Sequence, residues 1–375
     1  MSRAPWVLAI IAAATPAAAE PWHATVEAGA EIDSNVRRIE IRPGGAAPEA
    51  APLVRAQGEL SRRAARGPLR AVVRGLVGAR TVVAGAVDGE DVLTAAIDAA
   101  AERDAGDRLA VIARATHYDV VPLGDVGASR AFASSGADLG LRLDGDAGRR
   151  ATVTAGLRRL RYKPDVDFDW VGPVAAIAVG DELWRGADEA SLELRGAYRV
   201  ERRGYRGRAY ADGCAPGEPR TAACVVPTDE ARADLYHTVA VDLTYTGERV
   251  LAATYQLIGN DSSSFGSSFV RHRLTLAATT PAPGRLFVTA SVTGQYDRYL
   301  DPLLVASDVA AQGFESIDDD NRSSVSVRVA RALSACWQLE ARAAFYADAF
   351  SADDRRFRRL LIYAGLTWER ARDGE

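Results

Sequence analysis

The chain has 375 residues and a formal net charge of −4, and hydrophobic residues make up 48% of it. This near balance of acidic and basic residues argues against a nucleic-acid-binding surface, which needs a concentrated excess of Lys and Arg. After residue 20 no stretch approaches 18 consecutive apolar residues. No spanning helix is therefore expected, and any passage through a bilayer must use strands.

Residues 1–19 have the pattern of a bacterial secretory signal. Arg3 supplies a positive charge, Trp6–Ala14 is apolar, and the small residues Ala17 and Ala19 suit cleavage before Glu20. The apolar stretch is shorter than the roughly 20 residues that a spanning helix requires. We expect residues 1–19 to be a removable signal and residues 20–375 to form one domain.

The first segments of the domain alternate between apolar and polar residues. His23–Asp33 begins the series, and because successive side chains of a strand point to opposite faces, this pattern predicts a strand with one apolar face. Segments 54–61, 69–82 and 108–121 repeat it. Segment 93–102 is rich in alanine, which favours a helix, but its alternation with Asp98 and Glu102 favours a strand.

The clearest pair of strands lies between residues 130 and 162. Apolar residues keep one parity from Ala131 to Leu143, and after a turn at Gly145–Gly148 a return arm follows the same rule. Each arm has about twelve to fifteen residues, whereas soluble strands usually have about five or six and bilayer-spanning strands about nine to eleven. The length favours a membrane barrel over a long hairpin in a soluble sandwich.

Alternation continues to the C-terminus and brings the predicted total to about sixteen strands. The remaining strand segments are 174–184, 192–201, 235–246, 250–258, 270–279, 286–295, 324–333, 337–346 and 360–369. Short turns near 66, 105, 146, 187, 247, 282 and 335 alternate with longer links at 34–52, 83–91, 122–129, 163–172, 203–232, 259–267, 297–321 and 350–354. This asymmetry predicts an all-β, antiparallel, up-and-down transmembrane barrel of the outer membrane, with both termini in the periplasm.

Charged residues fall on the parity opposite to the apolar face and are predicted to line the barrel lumen, because an Arg facing lipid costs about 2–4 kcal/mol at the midplane. The predicted lining residues are Arg55, Glu59, Arg70, Arg74, Asp98, Glu102, Arg114, Asp138, Arg142, Arg158, Glu193, Arg195, Arg199, Asp242, Arg271, Arg273, Arg328, Glu340 and Arg342. Arginines outnumber acids in this set, which indicates a lumen favouring anions. Alternatively, Arg–acid pairs on neighbouring strands brace the wall.

Cys214 and Cys224 lie in a Gly/Pro-rich stretch and are predicted to form a disulfide in an oxidising compartment. The histidines are scattered without ligand spacing, so neither a metal nor a cofactor is expected. The triplet Asp165-x-Asp167-x-Asp169 begins like a calcium loop but lacks the Gly and Glu that complete one.

An enzymatic function is not expected. A hydrolase would need a Ser or Asp paired with a His at the external rim, but His237 and His272 fall on the apolar parity. His117, beside Tyr118 and Asp119 near a loop, is the only candidate for a catalytic base. Aromatic anchors at the membrane interfaces are predicted at Trp22, Tyr245, Trp337, Phe345 and Trp368.

The stretch Glu27–Val36, EAGAEIDSNV, resembles the first strand of Gram-negative outer-membrane barrels of surface-polysaccharide export and lipoprotein-display systems. The remainder of the chain resembles the porin-like class in pattern. The resemblance implies a passive pore or the outer conduit of a polysaccharide secretion system. Since no helical repeats precede the barrel, export would require a separate periplasmic partner.

The alternative function is a non-conducting structural or adhesive barrel whose long segments 203–232 and 301–321 bind a partner or fold inward. Under either function the expected partners are outer-membrane lipids, lipopolysaccharide and the barrel-assembly machinery, but not nucleic acid.

Overall fold

The computed structural model describes residues 21–38, 47–83, 87, 90–123, 131–186, 189–218, 224–300, 322–347 and 357–372. Within these ranges the chain forms sixteen strands and two single-turn 3-10 helices, Asp146–Gly148 and Val166–Phe168. Neither helix is long and apolar enough to cross a membrane. The predicted signal, residues 1–19, lies outside the described residues.

The strands in chain order are β1 Trp22–Asp33, β2 Ala51–Arg66, β3 Leu69–Val82, β4 Val92–Asp104, β5 Leu109–Pro122, β6 Phe132–Asp144, β7 Arg150–Tyr162, β8 Trp170–Arg185, β9 Ser191–Asp212, β10 Val225–Thr246, β11 Val250–Ser262, β12 Phe269–Ala282, β13 Leu286–Tyr299, β14 Ser323–Ala332, β15 Trp337–Ala347 and β16 Arg358–Arg372.

The sheet closes on itself. Each strand pairs antiparallel with its sequence neighbours, and β1 pairs with β16 in a register that runs from Trp22 opposite Arg372 to Asp33 opposite Leu361. Closure leaves no strand edge with unpaired N–H and C=O groups, each of which would cost several kcal/mol in hydrocarbon. The predicted antiparallel up-and-down barrel of about sixteen strands is confirmed.

The alanine-rich segment around Asp98 is a strand, as its alternation predicted. It forms β4, which pairs over its whole length with β3 on one side and with β5 on the other. Helix propensity is a weak preference of well under 1 kcal/mol per residue. The two ladders of backbone hydrogen bonds override it here.

The prediction of a long loop at 203–232 is wrong over most of its length. Strands β9 and β10 have 22 residues each and remain paired up to Asp212 and Val225. Twice the usual spanning length carries this ribbon well beyond the bilayer. In this part of β9 the outward face carries Arg202, Arg206 and Arg208 instead of apolar residues, while Tyr205 and Ala209 on the other face are buried. The apolar alternation that marks a spanning strand is therefore lost while the backbone pairing continues.

Cys214 and Cys224 join in a disulfide at the tip of the β9–β10 ribbon. The second predicted long loop, 301–321, lies outside the described residues. The short turns after the even-numbered strands lie at the same end of the barrel as Trp22 and Arg372. By the usual asymmetry of these barrels this end is periplasmic.

An apolar band surrounds the barrel. Large apolar side chains of one parity are solvent-exposed along the strands, among them Leu139 at 67%, Leu157 at 60% and Ile32 at 58%. Monomeric soluble proteins rarely expose contiguous apolar surface on this scale. The band faces hydrocarbon, and the protein belongs in the outer membrane.

Aromatic rings border the band at both ends. Near the periplasmic turns Trp184 stacks on Tyr245 with ring centroids 6.4 Å apart, and Trp337 is also exposed. At the outer edge lie Tyr198, which was not predicted as an anchor, and Phe345, which was. The Tyr198 hydroxyl bonds the His237 ring at 2.7 Å at the outer edge. Eight strand positions along β10 separate His237 from Tyr245, so the two aromatic levels are about 20 Å apart at the usual rise and tilt.

A buried ionic network joins the first and last strands. The Arg359 guanidinium lies 2.7 Å from the Asp33 carboxylate, and Arg80 of β3 lies 2.7 Å from both Asp33 and Glu31. The side chains of Glu31, Asp33 and Arg359 have no exposed surface. Asn35 donates a further hydrogen bond to the Arg358 carbonyl. The network therefore ties β1, β3 and β16 together at the seam.

We expect Arg359→Ala to destabilise the closed barrel by about 3–5 kcal/mol, because it removes one partner from a buried charge pair. The temperature at which the folded, fast-migrating gel band converts to the unfolded band measures the effect. Arg108→Ala is the matched control: its pair with Asp146 is 67% and 84% exposed, so its loss should cost at most about 1 kcal/mol. Equal conversion temperatures for the two variants would contradict a structural role for the network.

Candidate functional site in the barrel interior

The charged residues predicted to line a lumen lie on the strand parity opposite to the exposed apolar band, so their side chains point into the barrel. The structure places most of them in ion pairs that cross between strands. These pairs form three groups along the wall, and a fourth wall segment carries hydroxyl groups instead.

The first group is a ladder near the periplasmic end of β3 to β7. Arg70 lies 2.6 Å from both Glu102 and Asp104. Arg142 bonds Glu102 and lies 2.9 Å from Asp144, which in turn pairs with Arg150 at 3.1 Å. Charges alternate along this chain, and each pair links different strands or successive inward positions of one strand. The ladder therefore braces the wall.

Closer to mid-height the same wall carries single pairs. Arg74 lies 3.0 Å from Glu59, Arg114 lies 2.5 Å from Asp98, and Arg158 lies 2.5 Å from Asp138. On the other side of the seam, Arg328 of β14 lies 2.5 Å from Glu340 of β15. Arg342 of β15 lies 3.9 Å from both Glu340 and Glu27 of β1. Arg55 donates to Gln57 at 3.3 Å.

A cationic and aromatic cluster occupies the interior near the outer end of β8 to β10. The Arg203 guanidinium lies 3.9 Å from the ring centre of Tyr236 and 4.5 Å from that of Trp170. Glu201 accepts from Arg203 at 2.6 Å and also pairs with Arg199. Stacking between rings holds the Arg203 guanidinium in a fixed plane.

Two further arginines extend this cluster. Arg232 lies over the Tyr205 ring and pairs with Asp234 at 2.6 Å. Arg271 pairs with Asp297 through two hydrogen bonds, of 2.7 and 2.8 Å. Among these, only Arg199 and Arg271 were predicted to line the interior. Arg203 and Arg232 lie in the segment 203–232, for which the sequence predicts a loop and therefore no inward face.

The opposite wall, from β10 to β14, is lined by small hydroxyl side chains. Thr275 and Thr293 bond each other at 3.1 Å, and Ser291 and Ser326 do so at 2.7 Å. Asp242 accepts from Thr254 at 2.8 Å. Of these residues, the predicted set of charged lining residues includes only Asp242, although the hydroxyl residues share its polar parity.

Arg195 and Arg273 have no ion pair with any described residue, and both lie on the interior face of this region. Arg195 is directly opposite Asp242 in register, and Arg273 is opposite Gln256 and Gln295. Glu193, also among the predicted lining residues, faces inward near the periplasmic end of β9. Arg195 and Arg273 are therefore the inward arginines of this region without an ion pair among the described residues, and the acids Asp242 and Glu193 lie on the same inner face.

The interior residues that prediction missed include more acids than arginines. The acids include Glu27, Glu31, Asp33, Asp104, Asp144, Glu201, Asp234 and Asp297, and the arginines include Arg80, Arg150, Arg203, Arg232 and Arg359. Their addition reduces the excess of positive charge that the predicted set indicated. The ion pairs favour the alternative in which most of the charges brace the wall.

Packed apolar clusters lie on the inner side of the wall at the outer end of the barrel. Val92, Val120 and Phe132 form one cluster with Leu160 and Tyr162 on the inner faces of β4 to β7. A second cluster joins Val36 and Val87 to Ala51 and Leu53 at the outer ends of β2 and β3. Both lie on the inner side of the wall, above the charged pairs.

The remaining predicted candidates have local structural contacts. His117 faces outward and bonds the Ser135 hydroxyl at 2.9 Å. Asp165 accepts from the Asp167 N–H, and Asp169 accepts from the Tyr162 N–H. Within the described residues no group of three or more His, Cys, Asp or Glu could hold a metal ion.

No protein-family model matches the chain, and no curated protein matches its sequence. Solved structures do. OccAB1 of Acinetobacter baumannii matches with a TM-score of 0.47 and 11% identity over 93% of this chain and 96% of that one. OccK2 (OpdF) of Pseudomonas aeruginosa, solved in complex with glucuronate, matches with a TM-score of 0.46 and 9% identity over 93% and 98%. A loop-deletion mutant of Vibrio cholerae OmpT matches with a TM-score of 0.41 and 10% identity over 94% and 100%.

Adjacent residues of β11 test the orientation of the wall. In a Cys336→Ser background, we expect Thr254→Cys to react with a charged, membrane-impermeant thiol reagent in lipid vesicles, because Thr254 faces the interior. Ala253→Cys faces the lipid and should remain unmodified. Mass spectrometry of the protein measures the labelling. Reaction at Ala253→Cys and none at Thr254→Cys would contradict the assigned faces.

Proposed function

We propose that this barrel is a passive diffusion pore for small hydrophilic solutes across the outer membrane. The observation that carries the proposal is the closed wall of sixteen strands with an apolar exterior and a polar interior. Barrels of 16 to 18 strands are wide enough to leave an aqueous channel. Charged and hydroxyl side chains on the inner face would line that channel and remain hydrated.

The proposed pore has weak charge selectivity. Arg70, Arg114 and Arg158 each lie beside a carboxylate, so their fields are largely cancelled for a passing ion. Arg195, which is opposite Asp242 in register, and Arg273 have no ion pair with any described residue; Arg273 lies on the hydroxyl wall and Arg195 beside it. They would give the lumen a modest preference for anions that depends on a few side chains rather than on the whole wall.

A second candidate is a non-conducting barrel that serves a structural or adhesive role. The apolar clusters at the outer end of the barrel favour it, because side chains packed there would reduce the opening. The extended β9–β10 ribbon with its terminal disulfide would present a surface for a partner. The more specific role of conduit for a polysaccharide secretion system has no support in the interior or in the comparisons.

We expect the purified barrel to produce stable, stepwise conductance in planar lipid bilayers. A polar lumen between closed walls supports ion flow without gating ligands. Single-channel recording measures the step size and its duration. Folded protein, verified by its gel mobility, that inserts into the bilayer without conductance would reject the pore in favour of the structural barrel.

We expect the double variant Arg195→Glu and Arg273→Glu to shift the preference of the pore from anions toward cations. The reversal potential under a salt gradient measures the shift. Arg249→Glu combined with Arg285→Glu is the matched control, because it makes the same change of charge in the exposed periplasmic turns. An unchanged reversal potential in the interior variant would show that these side chains do not border the ion path.

A further inference from the structure

Four arginines form a patch on the outward face of the barrel, immediately above the apolar band. Arg159 and Arg161 belong to β7, and Arg202 and Arg206 belong to β9. All four are exposed and have the same parity as the lipid-facing residues of their strands, such as Leu157 and Tyr198. The four residues are called the outer arginine patch.

The register of the sheet brings these residues together. Arg159 is opposite Val171 of β8, and Val171 is opposite Gly204 of β9. Arg202 therefore lies two positions below Gly204, and Arg206 lies two positions above it. Neighbouring strands are about 4.8 Å apart, so the Cα atoms of β7 and β9 are separated by about 10 Å. Long Arg side chains from both strands can reach one group between them.

The charges in this patch are barely neutralised by the protein. Arg159, Arg161 and Arg202 have no ion pair with any described residue, and Arg206 lies 3.8 Å from Asp169. Asp169 is buried and already accepts from the Tyr162 N–H. Asp119 pairs with Lys163, while the exposed acids Asp165 and Asp167 of the link between β7 and β8 form no ion pair with any described residue. The patch thus differs from the interior, where most of the arginines have a carboxylate partner.

The height of the patch matches the level of the lipid headgroups. Arg159 lies nine positions above the first residue of β7, which corresponds to about 23 Å at the usual rise and tilt. The apolar band of such a barrel is about 25 Å tall. His117 and Ser135 lie in the same register row as Arg159, and both carry polar groups toward the interface.

The surface below the patch suits acyl chains. A shallow groove on the outward faces of β3 to β7 is lined by small side chains, including Ala113, Ala137 and Ala155, and is bordered by Leu139 and Leu157. Leu157 lies two positions below Arg159 on the same face. An amphipathic molecule with an anionic head and several acyl chains matches this combination of cationic patch and apolar groove.

We propose that the outer arginine patch binds the phosphate groups of lipopolysaccharide in the outer leaflet. Guanidinium groups bind phosphate through paired, charge-assisted hydrogen bonds. Two strands that present arginines on either side of Val171 can contact one phosphate from both directions. The acyl chains of the same lipid would lie along the groove beneath. This binding site lies on the opposite side of the wall from the proposed pore and does not depend on conduction.

The test uses the full-length folded barrel in detergent and native mass spectrometry with phosphorylated lipid A as the probe. We expect Arg159→Gln combined with Arg202→Gln to weaken binding at least about tenfold, as the loss of one charge-assisted hydrogen bond implies. Enzymatically dephosphorylated lipid A should bind the unchanged protein as weakly as phosphorylated lipid A binds the variant.

Arg103→Gln combined with Arg331→Gln is the matched control. Both residues are exposed on the outward face, but at the periplasmic end of β4 and β14, and their loss should leave lipid A binding unchanged. Should the first variant fail to fold, Arg161→Gln combined with Arg206→Gln tests the same patch. Undiminished affinity in a folded patch variant, or equal binding of dephosphorylated lipid A, would overturn the proposal.

Discussion

Closure of β1 on β16 is the constraint on which the rest of this molecule depends. An open sheet edge cannot exist in hydrocarbon, because its unpaired backbone groups would have no partner. The seam is held by twelve residues of β1 in register with β16 and by the buried contacts of Asp33 with Arg359 and Arg80. Once the cylinder is closed, every strand has one face toward lipid and one toward the interior, and the chemistry of each face follows.

The inner and outer faces of the wall differ in how far their arginines are paired with carboxylates. On the inner face most arginines lie beside a carboxylate, as in the ladder from Arg70 to Arg150. Such pairing keeps a charged wall nearly neutral, and solutes would meet arginines without an ion pair at Arg273 of the hydroxyl wall and at Arg195 beside it. On the outer face, three of the four arginines of the outer arginine patch have no ion pair with any described residue, and the fourth, Arg206, lies 3.8 Å from Asp169. Their position between apolar band and water suits them to an anionic headgroup that the membrane itself supplies.

Prediction from sequence succeeded where a periodic pattern reports a local environment. The alternation in segment 93–102 identified β4 despite its alanine content, and Arg114 and Asp98 were correctly given the same face. It failed at 203–232, because alternation marks a strand only where one face meets lipid, and β9 and β10 stay paired beyond the bilayer. The stretch Glu27–Val36 resembles the first strand of other outer-membrane barrels. In the fold its acids hold the barrel seam, a role that depends on Arg359, more than 320 residues away.

The sequence by itself determined the class of fold, the approximate number of strands and the face on which the charged residues of the recognised spanning segments lie, since a period of two residues is a local property of the chain. It could not determine which charges meet. Partners such as Arg142 and Glu102 are 40 residues apart in sequence, and their contact depends on register and closure. Only the tertiary structure therefore decided which inward charges are paired across the wall, and that arginines of β7 and β9 gather around Val171 on the outside.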